Sequence, residues 1–510
     1  MASVASSRQF SDPQRRVTYA LLAAAIGLGV VAGIFASQGH DRLTLATVLS
    51  LPIAVVVLRY PWAAVVLWLA ITPFFVVGDG TAGPDTWVLH RMLIPAVLAL
   101  SIVYRVVGLS RSDFRLSVID LALAAFLLLA IANIWLFAGT PMRMSIAFYD
   151  KVIIPICLYW LIRVIDPRDR EIRSLLWVFL WLVCVQFVVA ALSWVAPGIL
   201  PAAWLGRVGE RAVGTVGGPG PYTVTIMIGG LLAAAYLPRL RSTFGRLALY
   251  GVIAAAFVGV AISLSRGSWL GAAFVFVGLA VMYRGVAARL LAILVVVLAA
   301  LLVAPGSPLA SVSERLGDVD TAESRLLTNN AALRMIQERP LTGFGYGNFE
   351  SFDESFKVRI GDIPVQEGSA HQTYLALAAE NGLPALGLYM FPAALLLWLT
   401  FSKWRLINAQ RPTHARLLVV LWLAIVHQLT VTSFMDMLHA SPWGTALWWL
   451  CLGLIHVLIS QGSRPPKYIR VNWTVPAALR PAEGAAVPMV SAAAHPSSAG
   501  DGIHQVVPAK

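Results

Sequence analysis

Apolar stretches long enough to cross a bilayer follow one another along almost the whole chain. Runs at 17–36, 43–58, 61–78, 89–107, 117–138, 146–165, 173–196, 221–238, 245–264, 267–283, 286–304, 383–402, 415–436 and 442–460 approach the roughly 17–25 residues a helix needs to traverse the hydrocarbon core. The pattern predicts an all-α polytopic transmembrane helical bundle of about 12–14 spans. It breaks at length over residues 305–370, a polar stretch whose acidic residues outnumber its basic ones, and again after Gly462, where Pro, Ala, Ser and Gly dominate. The expected organisation is a cytoplasmic N-terminus (1–16), about eleven spans (17–304), a mainly helical extracytoplasmic loop domain (305–382), three last spans (383–460) and a disordered cytoplasmic tail (461–510). The first span could pass for a signal peptide, but its apolar core is too long and a second span follows at once, so an uncleaved helix is expected.

Composition agrees with this class: of 510 residues 58% are hydrophobic and 12% charged, and the mean hydropathy is +0.77. A net charge of +13 would suggest nucleic acid in a soluble protein. Here the basic residues gather in short loops, as membrane orientation requires, so no nucleic-acid partner is expected. With the N-terminus inside, Arg111 and Arg115, Arg163 to Arg173, Arg239 to Arg246, Arg284 and Arg289, and Lys403 to Arg416 all fall on the cytoplasmic side. The same count puts residues 305–370 outside. Cys157, Cys184 and Cys451 lie within apolar runs without metal-ligand spacing, which supports neither disulfides nor zinc.

Against that topology a few cations stand out, because the outer loops have otherwise shed them. Arg207 and Arg211 precede the glycine-rich Gly217-Gly218-Pro219-Gly220-Pro221, and Arg266 sits in the tight turn Ser263-Leu264-Ser265-Arg266-Gly267. A cation at mid-membrane costs about 2.5–3.5 kcal/mol on insertion scales, and at the outer interface it works against orientation. An anionic ligand would offset that cost. The alternative is that these arginines snorkel to headgroups or cap helix ends, and Glu210 can pair with Arg207. Asp150 and Lys151, near the outer end of the sixth span, either face the same cavity or form an intramembrane ion pair.

Within the polar segment, apolar spacing predicts a helix from about Thr321 to Glu338, stopped by Pro340. Gly343-Phe344-Gly345-Tyr346-Gly347-Asn348-Phe349 then alternates glycine with aromatics, without P-loop context, and reads as a turn packed by its rings on the bilayer surface. His371 opens a short helix with Tyr374 on its face, and Asn381-Gly382 ends that helix. Glu380 points away from His371 at helical spacing.

Ser265-Arg266-Gly267, Arg339-Pro340-Leu341-Thr342-Gly343-Phe344-Gly345-Tyr346-Gly347-Asn348-Phe349, and His371-Gln372-Thr373-Tyr374-Leu375 through Glu380-Asn381-Gly382-Leu383-Pro384 resemble the O-antigen ligase and O-antigen polymerase superfamily of bacterial polytopic glycosyltransferases. The likeness covers roughly residues 202–459, although Gly218-Pro219-Gly220-Pro221 stands where the family often carries an Asn-Pro-Asn-like element. The resemblance implies an enzyme of the bacterial cytoplasmic membrane, its active site facing the periplasm or exterior. It would transfer a glycan from an undecaprenyl-diphosphate-linked donor to an acceptor hydroxyl, with inversion, no cofactor and no metal. Arg211 and Arg266 would hold the diphosphate and stabilise its departure, and His371 would take the acceptor's proton. Arg207, Tyr374 and Lys151 are further candidates for substrate contact. The acceptor, whether lipid A core, another glycan or a protein side chain, stays open, and membrane lipids surround the whole. A transporter or a flippase for lipid-linked glycan is the competing class, but the chain shows no self-similar halves of the kind transporters carry.

Overall fold

The structure, a computed structural model, describes residues 56–57, 59–74, 87–108, 114–205, 211–303, 320–356 and 371–463. The expected span 17–36, nearly all of 43–58, the tail beyond 463 and Arg207 lie outside these residues. The described chain is an all-α polytopic bundle. Its helices are α1 (Pro61–Ile71), α2 (Trp87–Val106), α3 (Val118–Phe137), α4 (Pro141–Phe148), α5 (Ile154–Ile165), α6 (Asp169–Val195), α7 (Pro219–Tyr236), α8 (Thr243–Ile262), α9 (Arg266–Met282), α10 (Arg284–Val303), α11 (Asp320–Glu338), α12 (Phe349–Phe356), α13 (Thr373–Gln410), α14 (Pro412–Thr432), α15 (Met437–Ala440) and α16 (Pro442–Gly462). A π-helical turn, Tyr149–Ile153, joins α4 to α5 without a break in the rod. Among the described residues eight helical segments are long and apolar enough to cross a membrane, and two shorter apolar helices accompany them.

Prolines open several of these helices, because the first helical position needs no amide donor and proline's fixed φ suits it: Pro61, Pro141, Pro219, Pro412 and Pro442 all stand there. At the centre lies α7, in which every residue from Gly220 onward is buried. It packs against α6, α8 and α14. Lipid is as apolar as leucine, so such contacts are held by close packing rather than by expulsion of water. Small residues permit it: a Cβ on Gly229 would lie 3.0 Å from the Phe179 carbonyl, and one on Gly230 would lie 2.8 Å from the Ala256 Cβ. The outer faces of α3, α6, α9 and α13 carry exposed Leu128, Trp177, Val277 and Trp398, as a lipid-facing surface should.

The polar segment is built into the bundle through α13. Sequence spacing ended a short helix at Asn381-Gly382; instead α13 runs on through a kink at Gly382, whose φ of 82° is left-handed. Pro384, lacking an N–H, cannot bond back to Glu380, so the kink leaves carbonyls without helical partners. The glycine-aromatic loop fills them. Phe344 N donates to the Ala379 carbonyl at 3.0 Å and Gly345 N to that of Glu380 at 2.8 Å, while the Leu383 amide returns to the Pro340 carbonyl at 2.8 Å. From the other side Asn133 of α3 accepts from Tyr346 N at 3.1 Å and donates to the Thr342 carbonyl, and Asn348 donates to the Phe137 carbonyl at 3.0 Å. The rings therefore do not lie on the bilayer surface. Phe344 and Phe349 pack in a small core with Ala332, Met335, Ala376 and Ala379, and Tyr346 enters the main core against Phe148.

Two glycines make this joint possible. A Cβ on Gly343 (φ 64°) would lie 2.4 Å from the Glu380 carbonyl oxygen, and one on Gly382 would lie 2.3 Å from that of Leu341. Gly343→Ala and Gly382→Ala are each expected to destabilise the protein by about 1–3 kcal/mol, combining left-handed backbone with a clash. Gly387→Ala, which meets nothing within 4 Å, should leave thermal unfolding in detergent unchanged. Equal melting temperatures for all three variants would refute this account of the joint.

Candidate active site

A cavity of about 250 Å³ lies where α7, α9, α11 and the segments preceding α13 and following α14 meet. Arg211, Arg266 and His371, singled out from sequence, all line it. A third guanidinium, Arg325, enters from α11 together with Asn329. Among the described residues that line it none is a carboxylate. Two helices also begin at this wall, α7 at Pro219 and α9 at Arg266, and neither has an acidic residue in its first turn. Helix N-termini carry partial positive charge and unpaired amides, so they add to the field of the arginines. A site of this charge favours an anion.

Each cation is held by local structure. The segment carrying Arg211 is clasped by the buried Gln186, which accepts from Thr215 N at 2.8 Å and donates to its hydroxyl at 2.6 Å; that hydroxyl donates to the Pro73 carbonyl at 2.8 Å. Arg266 is the first residue of α9 and follows Leu264, whose φ of 50° is left-handed for a side chain that resists it. The hydroxyls of Ser265, Ser268 and Thr223 form a hydrogen-bonded chain at 3.0 and 2.8 Å that ties this turn to α7. Gly267 lets Phe434 close over it, since a Cβ there would lie 2.7 Å from that of Phe434.

His371 precedes α13 in a turn rather than opening the helix. Thr373, two residues on, donates to the Met435 carbonyl at 3.1 Å and accepts from Met437 N at 2.9 Å, fixing His371 against the α14–α16 connection. Burial, and then the Arg325 charge, hold the His371 imidazole below its ordinary value of 6.5, with Asp436 opposing. It is therefore neutral, and able to accept a proton, at neutral pH.

Tyr374 does not line this cavity; its hydroxyl bonds to Thr432 at 2.6 Å, which itself donates to the Gln428 carbonyl at 2.8 Å. Lys151 is placed elsewhere, in a second cavity of about 390 Å³ beyond the Ser433–Met435 wall. It forms no pair with Asp150, which takes a bidentate bond from Arg91 instead, and Lys151 donates to the His439 carbonyl. His439 in turn stands between Asp436, at 2.6 Å from Nδ1, and Glu380, at 2.8 Å from Nε2. Burial opposes its charge, but the two carboxylates prevail and hold it protonated well above 6.5. Arg325, Gln186 and the Glu380–His439–Asp436 group escaped the sequence reading; the only trace was an uncompensated Asp-x-x-His after an apolar run. No group of three or more His, Cys, Asp or Glu side chains placed to hold a metal ion occurs among the described residues.

No curated protein matches the chain. Residues 250–390, which include Arg266, Arg325, the glycine-aromatic loop and His371, match the family model described as O-antigen ligase. Over these residues the chain is similar to the O-antigen ligase family, and an all-α membrane bundle around a cation-lined cavity agrees with that likeness.

Proposed function

We propose that the protein transfers a glycan from an undecaprenyl-diphosphate-linked donor to an acceptor hydroxyl at the outer face of the bacterial cytoplasmic membrane. The supporting observation is the meeting of Arg211, Arg266, Arg325 and a neutral His371 on one cavity. Guanidinium groups bond phosphate oxygens bidentately, and a diphosphate would sit among them with two helix N-termini behind it.

In this reading His371 takes the proton of the acceptor hydroxyl as its oxygen bonds to the anomeric carbon. The bond from that carbon to the diphosphate breaks, and the electron pair leaves with the diphosphate. Its growing charge falls where the arginines stand, so they bind the transition state more strongly than the ground state. With His371 as base and no carboxylate among the described lining residues, the reaction is read as a single displacement with inverted anomeric configuration. The guanidinium charges do the electrostatic work that a divalent cation would otherwise supply, and the reaction is read as metal-independent. Arg207 and Tyr374 are assigned no direct role beyond proximity in sequence and the tie to Thr432.

His371→Ala is expected to lower the transfer rate by about 10²–10⁴, the usual value of general-base help. Arg266→Ala and Arg211→Ala should each cost about 10²–10³. The assay is transfer of a lipid-linked glycan by the full-length protein in proteoliposomes, with membrane insertion checked alongside; parental rates in both His371→Ala and Arg266→Ala would refute the assignment. The pH profile gives an independent check. Because His371 titrates below its ordinary 6.5, kcat/KM should be flat through neutrality and decline only at more acidic pH, as the base becomes protonated. Arg325→Gln removes a repelling cation and should move that inflection upward, toward 6.5; a downward or absent movement would refute the electrostatic link.

A further inference from the structure

A third cavity, of about 630 Å³, lies at the other end of the bundle. Among the described residues it is lined by Phe114 to Ser117 before α3, by Arg163 and Asp166 at the end of α5, and by His456, Val457 and Ser460 near the end of α16. His456 stands roughly 20 Å along α16 from Pro442, at about 1.5 Å per residue. Because α3 starts here and α5 and α16 end here, the cavity opens where the polar headgroups of a bilayer lie.

The segment before α3 is fixed to the bundle almost residue by residue. Arg163, buried in α5, forms an ion pair with Asp120 of α3. A buried pair is weak evidence for stability; here its remaining bonds tie down the neighbouring chain. Arg163 donates to the Arg115 carbonyl at 3.1 Å and lies over the Phe114 ring at 4.8 Å. Asp120 accepts from Ser117 N at 2.7 Å and from the Ser117 hydroxyl at 2.9 Å. Arg115 is therefore held by its backbone at the cavity while its side chain is exposed. Deeper in, the Tyr159 hydroxyl meets His456 Nδ1 at 2.8 Å, so Nε2 is the nitrogen that a ligand could reach. Asp166 accepts from Gln461 at 2.8 Å and joins the ends of α5 and α16.

A guanidinium fixed at headgroup depth matches a phosphate, whose oxygens it can bond with two parallel N–H groups. The Asp166 carboxylate in the lining disfavours a doubly charged phosphate monoester more than the single charge of a diester. The neighbouring surface adds an apolar requirement. Leu116 lines the cavity and is exposed, and Val118, Leu121, Ala125 and Leu128 continue from it as one exposed face of α3. An acyl chain would cover that face; a soluble anion would not. An arginine that merely snorkels needs neither a cavity nor a pinned backbone.

We propose that this cavity binds a glycerophospholipid of the leaflet opposite the first cavity. Arg115 takes the phosphodiester, His456 Nε2 bonds a headgroup oxygen, and an acyl chain follows the exposed face of α3. The site is independent of the transferase reading.

The test is native mass spectrometry of the full-length protein in detergent, titrated with dioleoyl phosphatidylglycerol. Two probes divide that lipid: dioleoylglycerol, which lacks the phosphate, and glycerophosphoglycerol, which lacks the chains. The whole lipid should bind at least about tenfold more tightly than either part, since each part forfeits one of the two contacts. Arg115→Gln should raise its Kd about fivefold or more, whereas Arg246→Gln, an exposed cation elsewhere, should stay within about twofold. Without lipid, Arg115→Gln should melt at the parental temperature, which separates lost binding from lost folding. Glycerophosphoglycerol bound as tightly as the lipid marks a site for soluble anions and overturns the proposal. Dioleoylglycerol bound as tightly, a Kd indifferent to Arg115→Gln, or an equal loss in Arg246→Gln overturns it too, because each leaves only non-specific lipid contact.

Discussion

A protonated imidazole clamped between two buried carboxylates is the interaction on which the active end of this protein depends. Isolated, Glu380 and Asp436, 2% and 4% exposed, would each carry a desolvation cost of several kcal/mol; His439 between them offsets it, and removing one member of such a group typically costs about 3–5 kcal/mol. The clamp joins three stretches of chain that share no secondary structure. Glu380 belongs to α13 just before its kink, and its other oxygen accepts from Phe349 N at 3.2 Å. Asp436 caps α15 by accepting from Leu438 N at 3.1 Å. Tyr346 lies over the imidazole with ring centres 4.7 Å apart. The wall between the two cavities, and the turn that presents His371, are thereby held by charge in a place where apolar packing alone could slide.

That rigidity matters because the first cavity brings three guanidiniums and two helix N-termini to one place, and their mutual placement decides the field inside it. The left-handed Leu264 beside Arg266 is strain of the kind that persists only when its surroundings over-determine it. Gln186, the Ser265–Ser268–Thr223 chain and the Thr373 bridge are those surroundings. On the proposed reading these ties hold the arginines in place before any anion arrives, which is the condition for electrostatic catalysis without reorganisation.

The helical architecture was legible because the bilayer permits so few solutions: a long apolar run must become a helix, and the runs at 117–138, 173–196 and 442–460 correspond to α3, α6 and α16. Arg211 and Arg266 stood out as cations in loops expected to have shed them, and His371 through its place at the end of the polar segment and the family resemblance. Arg325 did not, since an arginine on a polar helix beside Glu323 and Glu338 looks like an ordinary solvated face, and only the docking of α11 turns it inward. His439 and Asp436 were masked by the apolar runs around them, and Arg91 by the span it begins. Their meaning lies in pairings across the fold, such as Arg91 with Asp150, which no local periodicity carries. The glycine-aromatic loop was misplaced for the same reason. Its amides answer carbonyls freed by a kink in a helix later in the chain, and a turn read alone has no reason to be buried.

The kink also explains why two of the three sequence motifs that carry the family likeness, the glycine-aromatic loop and the His371–Pro384 stretch, belong together. A continuous α13 would bond its own carbonyls and leave the loop's amides unmatched beneath a membrane-embedded bundle, where an unpaired backbone group is expensive. A broken α13 without the loop would suffer the opposite deficit. Each motif satisfies the other, and the joint they make carries Glu380 to His439 and sets Thr373, and so His371, at the mouth of the cation-lined cavity. The polar segment thus delivers Arg325 on one side of the cavity and His371 on the other, and on the proposed reading a substrate phosphate would be held by groups from both the membrane bundle and this segment.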